Sequence, residues 1–225
     1  MHRLQQHILS QLIHHPKRRY ADLKPDDVEG NLFMYHLRLV IAAGWVAKRE
    51  DGKYELTTAG QQYAETLSLK TFVPRIQPRI VTLLVCRNDN GEVLLYKRHR
   101  QPLIGMSGFP YGKIHLGERI GEAASRELSE KTGLTAKLTH RGDGYITTYV
   151  GEEMVSQIMF HLFEGTHITG QLIRHADGEA YWVPIAELEQ IKLLPSVFEL
   201  LALVDSSHKL FFTELVFHLA PEDVA

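Results

Sequence analysis

Hydrophobic positions in the first 70 residues recur mostly at helical spacing. This period predicts three helices: one ending before Pro16, a short one over 20–23 that Pro25 stops, and one within "NLFMYHLRLVIAAGW" that Gly44 ends. "WVAKREDGKYELT" instead predicts two short strands around an Asp-Gly turn, and "TAGQQYAETL" predicts another helix with Thr58 as its N-cap. The apolar positions that define the first and third helices are Leu4, Ile8, Leu12 and Ile13, and Leu32, Met34, Leu37, Val40 and Ile41.

The hydrophobic period changes after "LKTFVPRIQPRI", whose two prolines indicate a linker. "IVTLLVC" and "EVLLYKR" alternate like strands around "NDNG", and "VSQIMFHLFEG" and "AYWVPIAEL" predict later strands, the last running into a helix. "LPSVFELLALV" predicts a terminal helix. Strands interleaved with helices predict an α/β (α+β) sandwich. The expected organisation is a domain over 1–70, a linker over 71–78 and a second domain over 79–225.

Composition narrows the class of protein. The 225 residues carry a net charge of −2, so no general basic excess points to nucleic acid. The single Cys86, within "VTLLVC", excludes an intrachain disulfide framework and is expected to be buried. No apolar run reaches the ~18 residues of a membrane span, and the N-terminus is too polar for a signal peptide. A soluble cytoplasmic protein is expected, with no membrane partner.

Candidate chemistry lies in "GKIHLGERIGEAASRELSEKTGL". A glycine-rich loop precedes it, and such loops let backbone amides approach phosphates. In the helix that follows, Glu127, Glu130 and Lys131 fall within the broad arc of the apolar face. Two interpretations remain open from this pattern. The carboxylates converge on Mg²⁺ or Mn²⁺ beside substrate phosphates, or they belong to a half-exposed helix held by ion pairs at i,i+4.

The order helix, helix, helix, hairpin, helix over residues 1–70 resembles a winged helix domain. "YHLRLVIAAGWVAKREDGKYELTTAG" is similar to the recognition helix and wing of many bacterial regulators. The resemblance implies DNA as a partner, and the alternative is a solvated rim on a dimerisation or docking domain. The candidate DNA contacts are Lys17, Arg18, Arg19, Arg38, Lys48, Arg49 and Lys53.

Residues 78–205 resemble a Nudix domain, whose box has the pattern G-x5-E-x7-R-E-U-x-E-E-x-G-U, with U aliphatic. The fixed positions met here are Gly112, Glu118, Arg126, Glu127, Leu128, Glu130, Gly133 and Leu134. Only Lys131 departs, where the pattern has a glutamate. The resemblance implies an α/β/α sandwich with a mixed sheet, Mg²⁺ or Mn²⁺ as cofactor, and hydrolysis of a nucleoside diphosphate linked to another moiety.

The resemblance also assigns roles to residues. The Gly112 carbonyl, Glu127 and Glu130 are the implied metal ligands, and Glu127 also orients or deprotonates the attacking water. Glu118 and Arg126 are implied to hold the loop against the helix, and these two residues complete the catalytic set with Glu127 and Glu130. Candidate substrate contacts are Arg98, Arg100, Tyr111 and Lys131, and candidate distal acids are Glu152, Glu153, Asp177 and Glu179.

Lys131 changes the local charge by two relative to a glutamate, and a cation repels a divalent metal. Three outcomes stay open: one metal still binds through Glu127, Glu130 and a distal acid, Lys131 itself contacts the diphosphate, or catalysis is lost and the pocket only binds a nucleotide.

Two functions follow. The first is a metal-dependent Nudix pyrophosphohydrolase, for which ADP-ribose-like substrates head the list, although "TTYVGEE" lacks the proline typical of the family's ADP-ribose enzymes. The second is a non-catalytic, nucleotide-sensing transcriptional regulator, as in factors that carry a winged helix after a Nudix domain. Both families commonly form homodimers, so a homodimer is the expected assembly.

Overall fold

The structure, a computed structural model, describes residues 1–206 and 210–223. The chain divides into two compact units, Met1–Gln77 and Pro78–Ala225. The division falls inside the proline-containing segment that the sequence predicts as a linker. Among the described residues, each helix is too short or too polar to cross a membrane.

Four helices and a two-stranded hairpin form the first unit. The hairpin strands pair antiparallel, and Gly52 between them has a φ of +76°, a left-handed conformation that favours glycine. The elements are α1 (Arg3–His14), α2 (Tyr20–Leu23), α3 (Gly30–Ala42), β1 (Val46–Lys48), β2 (Tyr54–Leu56) and α4 (Thr58–Thr66). Their core consists of Leu4, Ile8, Leu9, Leu12, Leu23, Phe33, Leu37, Val40, Val46, Tyr54 and Leu67.

The buried face of α3 differs from the predicted one. Leu32 and Ile41 are exposed, although their spacing placed them inside. The residues that face the core are Phe33, His36, Leu37 and Val40. The face is rotated by about one residue because the apolar run Leu-Phe-Met leaves two helical phases nearly equal in hydrophobicity. The His36 ring stacks on His2 at 3.8 Å between ring centroids, and burial together with the charge of His2 lowers the pKa of His36.

The start of α4 is one residue off the prediction. Thr57 is the N-cap, and its hydroxyl accepts a hydrogen bond from the Gly60 amide at 2.9 Å, while Thr58 is already the first helical residue. Two adjacent threonines satisfy the same capping preference, so the sequence pattern alone does not separate them.

The second unit contains nine strands and two α-helices in its described part. Its strands are β3 (Arg79–Cys86), β4 (Glu92–Arg98), β5 (Ser107–Gly108), β6 (Tyr111–Lys113), β7 (Leu134–Val150), β8 (Glu153–Gly170), β9 (Arg174–His175), β10 (Gly178–Pro184) and β11 (Phe211–Leu219). Its helices are α5 (Ile120–Thr132) and α6 (Val197–Ser206), with 3₁₀ turns at Ile185–Gln190 and Pro221–Asp223.

The strands form two sheets with helices on both faces. One sheet has the order β5-β4-β10-β9, and the other, β11-β7-β8-β3-β6, combines parallel and antiparallel pairs. Alternate residues of β3 serve two cores. Val81, Leu83 and Val85 pack with α6, while Leu84 and Cys86 pack with α5. The predicted mixed sheet is therefore confirmed, and Cys86 is buried as expected, which raises the pKa of its thiol to about 12.

Two long-range elements depart from the sequence expectation. "LPSVFELLALV" forms α6, but it is not terminal, because β11 follows it and pairs parallel with β7. The long strand β7 was not predicted either. Its register shifts at three places against β8, including the one between His140 and Gly142, so the alternation of buried and exposed residues changes phase along it.

Candidate functional site

The helix α5 carries the box residues and has well-defined ends. It begins at Ile120, where the Arg119 amide donates to the Glu122 carboxylate at 3.2 Å. It ends at Gly133, whose φ of +75° suits glycine at a helix C-terminus. The residues that α5 buries are Ala123, Ala124, Glu127, Leu128 and Thr132. A buried carboxylate on this face requires cationic partners, and the neighbouring side chains supply them.

Arg126 joins the loop before α5 to the helix itself. Its Nε and Nη2 donate to the two carboxylate oxygens of Glu118 at 2.7 and 2.8 Å, a bidentate pair. Its Nη2 also donates to the Lys113 carbonyl at 3.0 Å. Its Nη1 donates to Glu127 at 2.8 Å and to Glu130 at 3.2 Å. The pairing of Glu118 with Arg126 expected from the box is thus present in the structure.

The same contacts shift two ionisation equilibria. Hydrogen bonds from Arg126 and from the His115 amide lower the pKa of Glu118 to about 2. The carboxylates of Glu118, Glu127 and Glu130 raise the pKa of Arg126 against the opposing effect of burial. The loop–helix brace is therefore fully charged at neutral pH.

Gly112 is glycine because the Glu127 side chain occupies the space beside it. A Cβ at this position would lie 1.6 Å from the Glu127 Cδ atom. Gly112 lies on β6 opposite Thr82 of β3, so its backbone is fixed by the sheet. The close approach brings the loop backbone and the buried carboxylate to one point.

Lys131 lies at that same point. Its Nζ is 3.4 Å from Glu127 Oε2 and donates a hydrogen bond to the Tyr111 carbonyl. The ammonium also lies over two aromatic rings, 4.7 Å from the Tyr111 centroid and 5.6 Å from that of Tyr96. Only 13% of the side chain is exposed, so the lysine is an integral part of the site and not a solvated substitution.

The donors implied for a divalent metal are engaged by cations in this arrangement. One oxygen of Glu127 accepts from Arg126 and the other faces Lys131. Three carboxylates (Glu118, Glu127 and Glu130) face two cations, which leaves a net charge of −1, whereas a glutamate at position 131 would make it −3. A metal at Glu127 would have to displace the ammonium. These residues therefore do not fit the metal that the box implies.

A small polar cleft opens beside Lys131. Its lining includes the predicted substrate contacts Arg98, Arg100 and Tyr111, together with Asp177. Arg98 Nη1 donates to the Tyr111 hydroxyl at 2.5 Å, and Arg100 pairs with Asp177 at 3.3 Å. Burial raises the pKa of the Tyr111 hydroxyl, but Arg98 and Lys131 outweigh burial and the net shift is downward. The cleft is thus cationic.

A second, mainly apolar cleft shares Arg98 and Tyr111 with the polar one. Leu83, Phe109 and Leu200 contribute apolar walls, and Arg79 adds a further cation to the lining residues. Arg79 is held by a hydrogen bond from its Nη2 to the Ser156 hydroxyl at 2.9 Å.

Arg79 and Tyr96 are among the cleft residues that the sequence did not indicate. Strand alternation could have indicated Tyr96, because it lies two residues before Arg98 on β4 and its side chain therefore points to the same face of the sheet. Arg79 becomes a lining residue through the parallel pairing of β3 with β8, which no local pattern indicates.

Of the four candidate distal acids, the structure brings Asp177 to the polar cleft. Glu152 and Glu153 lie where β7 turns into β8, and Glu179 lies opposite Lys97 in the β4–β10 ladder. These three are not among the residues that line the polar cleft.

The candidate DNA contacts of the first unit divide into three groups. Three are ion-paired: Lys17 and Arg49 with Glu55, and Lys53 with Asp51. Arg18 is half-buried and its backbone bridges to Tyr54. The exposed cations without an ion pair among the described residues are Arg19, Arg38 and Lys48. The exposed side of α3 also presents Leu32, Tyr35 and Leu39, an apolar face with a single arginine.

Solved structures share this fold. The mutator MutT protein from Bacillus halodurans superposes with a TM-score of 0.52 at 26% identity, covering 64% of this chain and 92% of that one. The NUDIX domain of Shewanella oneidensis NrtR, crystallised with ADP ribose, superposes with a TM-score of 0.51 at 19% identity, covering 67% of this chain and 98% of that one.

Curated relatives match the second unit in part. An ADP-ribose pyrophosphatase from Methanocaldococcus jannaschii is 30% identical over 89 residues, 38% of this chain and 52% of that protein. An RNA pyrophosphohydrolase from Caulobacter vibrioides is 39% identical over 75 residues, 33% of this chain and 42% of that protein. This chain spans about half the length of these curated relatives or less. The family model described as the NUDIX domain matches residues 77–204, more than half of the chain, and the chain therefore belongs to the Nudix family.

Proposed function

We propose that the Nudix domain binds a nucleoside diphosphate derivative and uses the Lys131 ammonium where the family generally uses a divalent metal. The observation that carries the proposal is the placement of Lys131 Nζ between Glu127 and the Tyr111 carbonyl, at the edge of the polar cleft. A buried lysine retained by a carboxylate, a carbonyl and two rings is a fixed positive charge. Fixed charge suits an anionic ligand better than a metal ion.

The charge of the polar cleft supports a diphosphate. Lys131, Arg98 and Arg100 line it, and Asp177 is its one acid among the described lining residues. Three cations against one carboxylate leave an excess of positive charge, and hydrogen bonds from charged donors to phosphate oxygens are among the stronger ones in proteins. The Asp177–Arg100 pair would exchange for Arg100–phosphate contacts when the ligand binds.

The apolar cleft supports the remainder of such a ligand. Its phenylalanine and leucine walls suit a flat ring or a ribose carbon face, while Arg79 and Tyr111 provide polar contacts at its rim. Because Arg98 lines both clefts, a phosphate held by Arg98 would place the attached sugar and base directly in the apolar one. The ADP-ribose pyrophosphatase among the curated relatives makes ADP-ribose the first ligand to test.

The first unit suggests what ligand binding is used for, since it has features of a DNA-binding domain. Its element order, α1-α2-α3-β1-β2-α4, resembles that of a winged helix and supports the proposal. Arg19, Arg38 and Lys48 are exposed cations available to DNA phosphates. The proposal is therefore a nucleotide-sensing regulator in which the Nudix domain binds the ligand and the winged helix binds DNA.

Metal-dependent hydrolysis of the same ligand class is the second candidate. The bidentate Glu118–Arg126 pair and the close packing of Gly112 against Glu127 favour it, because they retain the geometry that the box requires for catalysis. Metal binding would then have to displace Lys131 from Glu127.

Calorimetric titration of ADP-ribose into the full chain in EDTA tests the first proposal. We expect saturable binding without metal and about tenfold weaker binding by Lys131→Gln, the loss of roughly one charge-assisted hydrogen bond. Lys137→Gln is the matched control, an exposed lysine on β7. Binding that requires Mg²⁺, or that Lys131→Gln leaves unchanged, would overturn the proposal.

A further inference from the structure

A second group of metal-ligating side chains lies on the β7–β8 pair, apart from the box. His140 Nε2 is 2.8 Å from Asp143 Oδ1, and His161 Nδ1 is 2.6 Å from the same oxygen. One ligand atom from each residue lies within 4.8 Å of those of the other two. In the order of the sheet, β3 separates this pair of strands from β6, where Gly112 lies.

The bulge in β7 creates the group. Residues three apart in a regular strand point to opposite faces, so His140 and Asp143 would be separated by the sheet. The register shift between His140 and Gly142 changes the phase by one residue and places both side chains on one face. His161 is the cross-strand partner of Asp143, which brings the third side chain to the same face.

We propose that His140, Asp143 and His161 form a binding site for a divalent transition metal of the zinc class. Two imidazole nitrogens and one carboxylate oxygen are a donor set typical of zinc and related metals and unlike the all-oxygen sets of Mg²⁺. Tetrahedral zinc holds its ligand atoms roughly 3.3 Å apart, given bonds of about 2.0 Å. The separation of 2.8 Å from His140 would therefore need to open by about 0.5 Å, and the separation of 2.6 Å from His161 by about 0.7 Å.

The surroundings of the group suit a metal ion with three protein ligands and a fourth coordination position open to solvent. The three side chains are 26%, 34% and 16% exposed, so solvent reaches one side of the group. Thr82, the neighbour of His161 in the β3–β8 register, is fully buried, and its hydroxyl has no hydrogen-bond partner among the described residues. Register partners share a face, so this hydroxyl lies on the same side of the sheet as the His161 side chain.

Titration of zinc chloride into the untagged full chain tests the site. We expect the wild type to bind one equivalent of zinc saturably. His161→Gln and Asp143→Asn should each bind zinc at least tenfold more weakly, and two control variants should bind it as the wild type does. His167→Gln removes an exposed histidine of the same strand, and Glu127→Gln alters the Nudix box. The absence of saturable binding in the wild type, or equal binding by His161→Gln, would overturn the site.

Cobalt provides a measurement that needs no variant. The wild-type chain loaded with one equivalent of Co²⁺ should show the intense visible absorption of a four-coordinate ion, and equimolar zinc should abolish it. A spectrum identical to that of free aqueous Co²⁺ would contradict the proposal. Either result is independent of the ligand proposed for the Nudix cleft, since the two sites share no residue.

Discussion

At the scale of single residues, Lys131 determines what the acidic side chains of the box bind. Glu127 is buried with one oxygen on Arg126 and the other facing Lys131, so its charge is balanced within the protein. The identity of these pairs follows from helical spacing, since i,i+4 places Lys131 over Glu127. That the ammonium also reaches the Tyr111 carbonyl does not follow from spacing, because it depends on how β6 packs against α5.

Glu118 gives a prediction about acid stability at this scale. Its folded pKa of about 2 lies below the ordinary value near 4.5, so its contribution to stability is fully present above pH ~4.5 and is lost as the pH falls toward 2. Glu118→Gln should therefore flatten the dependence of the unfolding midpoint on pH between these values. Urea unfolding at several pH values, followed by circular dichroism, measures this.

The control for that series is Glu152→Gln, which removes an exposed carboxylate from the β7–β8 turn. Its pH dependence should match that of the wild type. A Glu118→Gln variant that keeps the full acid dependence would show that the pairing with Arg126 does not stabilise the folded state.

At the scale of elements, the sequence predicted correctly those helices and turns whose position depends on residues close together in the chain. The bounds of α2, the Asp-Gly hairpin, the glycine at the end of α3 and the helix that carries the box all depend on neighbouring residues along the chain. The strands β7 and β11 were missed because long-range pairing and bulges define them. The proposed metal site on β7 and β8 could not be predicted for the same reason, since His140 and Asp143 share a face only through a bulge and His161 joins them by cross-strand pairing.

The β1–β2 hairpin of the first unit carries a prediction about DNA binding. If the proposed winged helix contacts phosphates, the logarithm of its DNA affinity should fall linearly with the logarithm of salt concentration. Lys48→Gln, at an exposed position on β1, should reduce that slope by about 1. Lys53→Gln is the matched control, because Lys53 already pairs with Asp51 at 3.3 Å and should change the slope less.

Both slopes can be measured by fluorescence anisotropy of the full chain with labelled duplex DNA. The salt concentration is varied from about 50 to about 300 mM, a range that brackets the physiological ionic strength. Affinity that does not vary with salt would contradict DNA binding. It would leave the exposed apolar side of α3, formed by Leu32, Tyr35 and Leu39, as evidence for a protein partner instead.

At the scale of the whole molecule, the chain joins a helical unit of about 77 residues to a Nudix domain with an altered box. The fold of the Nudix domain is secure because its sheet, its two cores and the Glu118–Arg126 brace do not depend on position 131. The chemistry does depend on it, since one ammonium changes the net charge of the box from −3 to −1. In the proposed account, position 131 is therefore the residue that distinguishes a ligand sensor from a metal-dependent hydrolase on the same scaffold.

The most direct test of the claim that Lys131 takes the place of the metal is the rate of ADP-ribose hydrolysis. It is measured for the wild type and for Lys131→Glu, each with Mg²⁺ and with EDTA. We predict that the wild type releases no AMP above the buffer rate in either condition. Lys131→Glu should gain turnover that requires Mg²⁺ and that the second substitution Glu127→Gln removes. Mg²⁺-dependent turnover by the wild type that Lys131→Glu lowers would contradict the account, because Lys131 would then belong to the hydrolytic machinery.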